Sequence, residues 1–153
     1  MGLWIDENLK FDSHIHSTCH KISKGIFVLR TFSKFCSIEL LLMVYYSLIL
    51  PHLKYAIIIW GRNNTKNLFK LQKRAIRIIF NKNNRESCKE SFKANGLLTL
   101  PSLYIYEVIL FMKNKINIYN RRNLNNLRQK LIFRYFDYKT EFFLILIFFR
   151  FLH

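Results

Sequence analysis

A mostly α-helical bundle is the fold class that this sequence predicts, and two observations lead to that prediction. Hydrophobic residues make up 51% of the 153 residues, whereas only 4 glycines and 2 prolines are present to form turns between short strands. Apolar residues also recur at spacings of three and four, which is the period of a helix. We therefore expect an extended entry over residues 1–12, a helical domain over 13–120, and an irregular tail over 121–153 that is basic and then phenylalanine-rich.

The first predicted helix follows the entry segment, in which Leu3 and Ile5 alternate with their neighbours as in a short strand. Asp12 or Ser13 is the predicted cap of this helix. Its apolar residues follow the helical period and are Ile15, Cys19, Ile22, Ile26 and Leu29. The sequence thus predicts an amphipathic first helix whose other faces are polar and basic.

The most apolar stretch runs from Ile38 to Trp60, behind a predicted N-cap at Ser37. Its length is sufficient to span a bilayer. Polar or helix-breaking residues interrupt it, namely Glu39, Pro51, His52 and Lys54. Because a charge near the centre of a membrane helix costs about 3 kcal/mol, a helix buried in the protein core is the favoured interpretation and a membrane span is the alternative.

A basic helix is predicted between Thr65, a plausible N-cap, and the asparagine-rich residues 81–84, which would end it. Its cations fall within about a quarter turn of an ideal helix and are Lys66, Lys70, Lys73, Arg74 and Arg77. The apolar residues fall opposite them and are Leu68, Leu71, Ala75, Ile78 and Ile79. No acid lies in the segment, so the five cations, here called the basic stripe, have no partner within their own helix.

Two further helices are expected. Residues 85–96 predict a short surface helix closed by Gly96. The residues that follow read as an extended connector. The last helix is expected to begin near Ser102, with apolar residues at helical spacing, which are Ile105, Ile109, Met112, Ile116 and Tyr119.

The charge balance points to an anionic partner. The chain has 25 Lys and Arg against 9 Asp and Glu, which gives a net charge of +16. So large an excess attracts polyanions such as nucleic acid, an acidic protein or an anionic membrane. For the basic stripe itself, the pattern leaves three interpretations open: an ordinary solvated face, a phosphate-binding face, and a membrane-surface face.

The sequence offers little support for a free-standing enzyme. It contains no GxSxG, Walker or GxGxxG motif, and the three cysteines form no CxxC pair. His16 and His20 have a spacing that suits two zinc ligands, but no second close ligand pair accompanies them, so we predict no metal site and no cofactor in this chain. Asp6, Glu7 and Asp12 are interpreted as solvated turn acids. The N-terminus lacks the apolar core of a secretory signal, so an intracellular location is expected.

Several blocks of this sequence, taken in order, resemble the region that follows the palm in reverse transcriptases of non-LTR retrotransposons of the Jockey and LINE type. The blocks are GLWIDENLKFDSHI, YYSLILPHLKYAIIIWG, LQKRAIRII and LLTLPSLYIYE, and the resemblance covers about residues 2–120. In that family this region is the helical thumb and adjoining connection, which hold the template-primer duplex beside the active site.

The resemblance implies a role for particular residues. Lys70, Lys73, Arg74 and Arg77 match the positions expected to contact nucleic acid, while Tyr55, Trp60 and Gly61 would fix the turn that presents them. The implied partners are RNA, DNA or their hybrid, within a nuclear or cytoplasmic ribonucleoprotein, and the palm and fingers of the parent polymerase.

The resemblance also implies an inactive chain. The two adjacent palm aspartates that bind catalytic metal ions in such enzymes have no counterpart, since the sequence contains no Asp-Asp pair. The hypothesis is therefore a fragment of an RNA-directed DNA polymerase that binds template-primer without regard to sequence and does not catalyse synthesis. The alternatives are a membrane-associated basic helical protein, with residues 38–60 and the tail in lipid, and a non-functional remnant of a mobile element.

Overall fold

The chain folds into α-helices, as expected. The computed structural model describes residues 2–5 and 10–122, with side chains described up to Lys115. The helices in these ranges are α1 (Asp12–Phe32), α2 (Ile38–Leu48), α3 (Leu50–Lys54), α4 (Ile57–Trp60), α5 (Lys66–Ile79), α6 (Lys89–Ala94) and α7 (Leu100–Arg122). No strand occurs within the described ranges. The predicted tail lies outside them, apart from its first two residues, which end α7.

The chain divides into two compact units, Met1–Tyr104 and Ile105–His153. In the first unit α1 packs against α5, and α2 contacts α1, α3 and α5. The buried core of this unit takes side chains from every helix and includes Ile22, Leu29, Tyr45, Trp60 and Ile76. Because α1 and α5 are the longest helices of the unit and lie against each other, they form its central pair.

Helix α1 confirms its predicted apolar stripe but not its predicted cap. Ile15, Ile22, Ile26 and Leu29 are buried and Cys19 is half-buried, where burial raises the pKa of its thiol. The helix is preceded by Phe11, in the left-handed conformation at φ 56°, and not by Asp12 or Ser13. Phe11 is 5% exposed, and its carbonyl accepts the Ile15 N–H at 2.9 Å. A buried aromatic residue therefore occupies the cap position of the helix.

The apolar stretch 38–60 contributes side chains to the core, but the prediction that it forms one buried core helix is wrong. Pro51 has no N–H to continue the helix, and Ala56 is left-handed at φ 53°, so the stretch breaks into α2, α3 and α4. Only one face of α2 is buried, through Leu41 and Tyr45. The opposite face is exposed and carries Leu40, Met43, Tyr46 and Ser47. The described helices that contact α2 are α1, α3 and α5, and they lie against its buried face.

A buried glutamine links α5 to the start of α7. The side chain of Gln72 is fully buried and makes three hydrogen bonds. Its amide nitrogen donates to the Tyr45 hydroxyl at 3.0 Å and to the Leu98 carbonyl at 2.9 Å, and its oxygen accepts the Leu100 N–H at 2.8 Å. Burial raises the pKa of Tyr45 to about 12. Gln72 therefore satisfies two buried polar groups, the Tyr45 hydroxyl and the Leu100 N–H, and the partly buried Leu98 carbonyl.

The turn between α6 and α7 follows known capping rules. Gly96 ends α6 at φ 61°, and the bonds from Gly96 N–H to the Lys93 carbonyl and from Leu97 N–H to the Phe92 carbonyl form a Schellman motif. The prediction that Gly96 closes this helix is confirmed. α6 is not entirely on the surface, however, because Phe92 is buried.

Helix α7 begins at Leu100, two residues before the predicted start, and the Thr99 hydroxyl oxygen accepts the Ser102 N–H at 3.4 Å. Its predicted apolar stripe is only partly covered. Ile105 and Met112 are exposed and Ile109 is half-buried, while the side chains of Ile116 and Tyr119 lie outside the described residues. The spacing of the apolar residues therefore predicts the helix correctly, but it does not predict which of these residues are buried.

A buried histidine makes the stability of the first unit depend on pH. His14 is 4% exposed, and neither ring nitrogen has a hydrogen-bond partner among the described residues. Its ring lies 5.7 Å from the Trp60 ring. Burial, with a smaller contribution from Lys21, lowers the pKa of His14, and the same two causes lower the pKa of His52. The folded state therefore favours neutral imidazole at both positions.

Acidification is expected to destabilise the fold from about pH 6.5 downward. Below that value the unfolded chain binds protons that the folded His14 does not, so the free energy of unfolding falls by up to about 1.4 kcal/mol per pH unit for one such group until the lowered pKa is passed. Urea unfolding between pH 8 and pH 5.5 measures this. In the variant His14→Leu the free energy of unfolding should depend less on pH. The control variant His16→Leu changes an exposed histidine and should keep the pH dependence of the unmodified chain. An unchanged dependence in His14→Leu would refute this assignment.

Candidate nucleic-acid interface

Helix α5 has one buried and one cationic face. The buried residues are Leu68, Gln72, Ala75, Ile76 and Ile79. Three of the five predicted apolar residues are among them, and the other two, Leu71 and Ile78, are half-buried. Gln72 and Ile76 were not in the predicted set. The buried face is thus centred a little to one side of the predicted one, still opposite the cations.

The basic stripe lies on the surface. Lys66, Lys70 and Arg74 are exposed, and Lys73 and Arg77 are half-buried. None of the five forms an ion pair with a described residue. The Lys73 ammonium lies 4.6 Å from the centre of the Phe69 ring, a cation–π contact that holds the side chain against the helix surface. All five positions predicted from the sequence are therefore brought together on one solvent-facing side of α5.

Arg77 differs from the other four because it also holds the following turn. Its Nε and Nη2 donate to the Glu86 carbonyl at 3.2 and 3.0 Å. The Glu86 carboxylate in turn accepts from the backbone and side chain of Asn83. Arg77 therefore organises residues 81–86 as well as contributing charge.

The end of α5 is fixed by the asparagine-rich turn, as predicted. Asn81 adopts the left-handed conformation at φ 48°, which asparagine tolerates better than most residues. The Asn81 N–H donates to the Ile78 carbonyl and the Lys82 N–H to the Arg77 carbonyl, which together make a Schellman motif. This turn brings Lys82 back beside the end of the stripe.

A pocket of about 360 Å³ lies where the ends of α1 and α5 meet this turn. Its lining residues are Arg30, Ser33, Arg74, Arg77, Ile78, Asn81, Lys82 and Asn84. Four of them are cations and none is an acid. Sequence reasoning missed Arg30 and Lys82 as part of this surface. Arg30 reaches the stripe only through the packing of α1 on α5, and Lys82 only through the turn that follows α5.

The turn before α5 contains a buried tryptophan and a closely packed glycine. The Trp60 indole N–H donates to the Tyr55 carbonyl at 2.7 Å, and the Trp60 side chain is fully buried. A Cβ at Gly61 would lie 2.5 Å from the Ile57 carbonyl oxygen and 2.6 Å from Cδ2 of Tyr104, so only glycine fits there. Thr65 is the N-cap of α5, although its side chain makes no capping hydrogen bond. Trp60 is thus bonded to the Tyr55 carbonyl and Gly61 is closely packed, five residues before α5 begins.

Other candidate sites are not assembled in the described part of the chain. No group of three or more His, Cys, Asp or Glu residues there is arranged to hold a metal ion. His16 and His20 are exposed, and Asp6 and Glu7 lie outside the described residues. Among the helices described here, none is long and apolar enough to cross a membrane.

Comparison with known proteins adds no relative. The chain matches no protein-family model, no curated protein and no solved structure.

Proposed function

We propose that this chain binds RNA, DNA or an RNA–DNA hybrid through the phosphate backbone, without reading sequence, as the thumb-like segment of a non-LTR retrotransposon reverse transcriptase. It helps to hold the template-primer duplex and performs no catalysis itself. The palm and fingers that would complete the polymerase are its proposed protein partners, and the proposed setting is a ribonucleoprotein.

One observation carries the proposal: five cations share the solvent-facing side of a helix whose other side is anchored in the core. The apolar face fixes the orientation of the helix. The cations are therefore arranged on one side of the protein before any ligand binds. None of the five is neutralised by an acid among the described residues. An array of this kind attracts a polyanion and releases its counterions.

The dimensions of α5 suit a phosphate backbone. At 1.5 Å per residue, its 14 residues span about 21 Å. Successive phosphates of one strand are spaced by about 3.4 Å along the helix axis, so α5 would face about six of them if aligned with the strand. Lysine and arginine bind phosphate oxygens irrespective of the base, so the contact would position the duplex and not select its sequence.

Fluorescence anisotropy with labelled RNA–DNA hybrids of two unrelated sequences tests this proposal. With three to five phosphates neutralised, the affinity should fall by about 100-fold between 50 and 200 mM salt, and the two sequences should bind equally within about threefold. A third arm with anionic lipid vesicles separates nucleic acid from the membrane alternative. Binding that is indifferent to salt, or that occurs only to vesicles, would refute the proposal.

A further inference from the structure

The pocket at the junction of α1, α5 and residues 81–84 shares Arg74 and Arg77 with the basic stripe but differs from it in shape. The stripe is a convex helix face, whereas the pocket is a concavity of about 360 Å³ bounded by two helix ends and a turn. Arg30 comes from α1 and Lys82 from the turn, so neither belongs to the amphipathic pattern of α5. Convergence of cations from three chain segments on one concavity is typical of a binding site.

We propose that this pocket binds a phosphate group, held chiefly by Arg30 and Arg74, at the end of the track formed by the basic stripe. The ligand class is a phosphate of a nucleic-acid strand, either the terminal monoester or an internal diester. This inference rests on the proposed function for the identity of the strand, and it adds α1 to the interface.

Carbonyl groups at the helix ends that border the pocket accept hydrogen bonds from other donors, and they do not bind the guanidinium groups of the pocket. A helix C-terminus is electronegative, and cations there commonly serve only to offset exposed carbonyls. Here the Arg30 carbonyl accepts the Ser33 hydroxyl, and the Leu29 carbonyl accepts the Ser33 N–H. At the end of α5, the Arg77 and Ile78 carbonyls are bonded within the Schellman motif. The guanidinium groups of Arg30 and Arg74 form no hydrogen bond or ion pair with a described residue.

The remaining two cations have supporting roles. Arg77 is engaged with the Glu86 carbonyl and positions the turn. The Lys82 ammonium lies 3.4 Å from the Ser87 carbonyl, a long contact that leaves its charge available to the pocket. Two guanidinium groups match the oxygens of phosphate because each can donate two parallel hydrogen bonds.

The size of the pocket suits a phosphate together with part of a nucleotide. Ligand pockets measure about 300–1,000 Å³, and this pocket lies near the lower end of that range. Ser33, Asn81 and Asn84 supply neutral hydrogen-bonding groups around the cations. A sugar attached to the phosphate therefore has polar groups to meet it.

The variant Arg30→Ala tests the proposal against Lys24→Ala as its matched control. Both residues are exposed cations on α1, but Lys24 does not line the pocket. Affinity is measured for one RNA–DNA hybrid prepared with and without a 5′-phosphate. Arg30→Ala should weaken binding about eightfold at 0.1 M salt, as expected when one phosphate is no longer bound, while Lys24→Ala binds as the unmodified chain does. Circular dichroism checks that both variants fold.

The two hybrids distinguish the source of the phosphate. A loss confined to the phosphorylated hybrid identifies a terminal monoester, and an equal loss with both identifies an internal diester. If Arg30→Ala binds both hybrids as tightly as Lys24→Ala does, the pocket proposal is overturned while the proposed function stands.

Inorganic phosphate gives an independent test if the chain binds no hybrid and the proposed function fails. In an NMR titration at constant ionic strength, phosphate should shift the side-chain Nε–H resonances of Arg30 and Arg74 more than chloride does. Equal responses to the two anions would overturn the pocket proposal as well.

Discussion

Replacing Gln72 with leucine is expected to destabilise the first compact unit by about 2–5 kcal/mol, because it leaves two buried polar groups and one partly buried group without this partner, at about 1–3 kcal/mol for each buried group. The groups are the Tyr45 hydroxyl, the Leu98 carbonyl and the Leu100 N–H. Leucine fills much of the same volume, so the destabilisation reports polar desolvation more than a cavity. Since a domain has a net stability of about 5–15 kcal/mol, the urea midpoint should fall steeply.

A double-mutant cycle with Tyr45→Phe separates this mechanism from general loss of packing. In the unmodified chain, Tyr45→Phe should cost about 1 kcal/mol, the value of one hydrogen bond. In the Gln72→Leu background the hydroxyl is already unpaired, so its removal should be neutral or stabilising. An equal cost in both backgrounds would contradict the role assigned to Gln72.

Replacing Lys70, Lys73, Arg74 and Arg77 together with alanine is expected to weaken binding to an RNA–DNA hybrid by about 1,000-fold at 0.1 M salt. Each cation that no longer neutralises a phosphate lowers the affinity by about 0.9 decade, because fewer counterions are released on binding. The expected effect is smaller than that of four fully engaged cations because Arg77 also bonds the Glu86 carbonyl.

Removal of Arg77 should loosen the turn at residues 81–86, so a triple variant that keeps Arg77 checks for a purely structural effect. The triple variant should still bind about 500-fold more weakly than the unmodified chain.

A matched control removes the same charge elsewhere. It replaces four exposed lysines that lie outside α5 and outside the pocket, which are Lys10, Lys24, Lys89 and Lys113. The net charge falls by four in both variants, so a difference between them reports the location of charge and not its total. The affinity of the control should fall by less than about tenfold. Equal effects in the two variants would mean that binding depends on net charge alone.

The positions of the helices were largely predictable because they follow from local patterns. The period of Ile15, Ile22 and Leu29 predicted α1, and the asparagine-rich turn and Gly96 marked the ends of α5 and α6. These signals depend on residues a few positions apart, which the sequence displays directly. The stripe on α5 was predictable for the same reason.

Burial was less predictable because it depends on which elements pack together. The apolar composition of α2 indicated a central helix, but among the described helices α1, α3 and α5 cover one of its faces, and Leu40 and Met43 are exposed. Gln72 is the opposite case, a polar residue buried at 0% exposure because partners from α2 and the α6–α7 connection reach it. The pocket was also unpredictable, since it requires Arg30 to meet α5 across a helix–helix contact.

Phosphate binding by the basic stripe can be measured through the salt dependence of hybrid binding. The slope of log affinity against log salt is measured for the unmodified chain and for the variant lacking Lys70, Lys73, Arg74 and Arg77. The stripe should account for most of a slope of about −4, leaving a slope of about −1 in the variant. Equal slopes for the two proteins would contradict phosphate binding by the stripe.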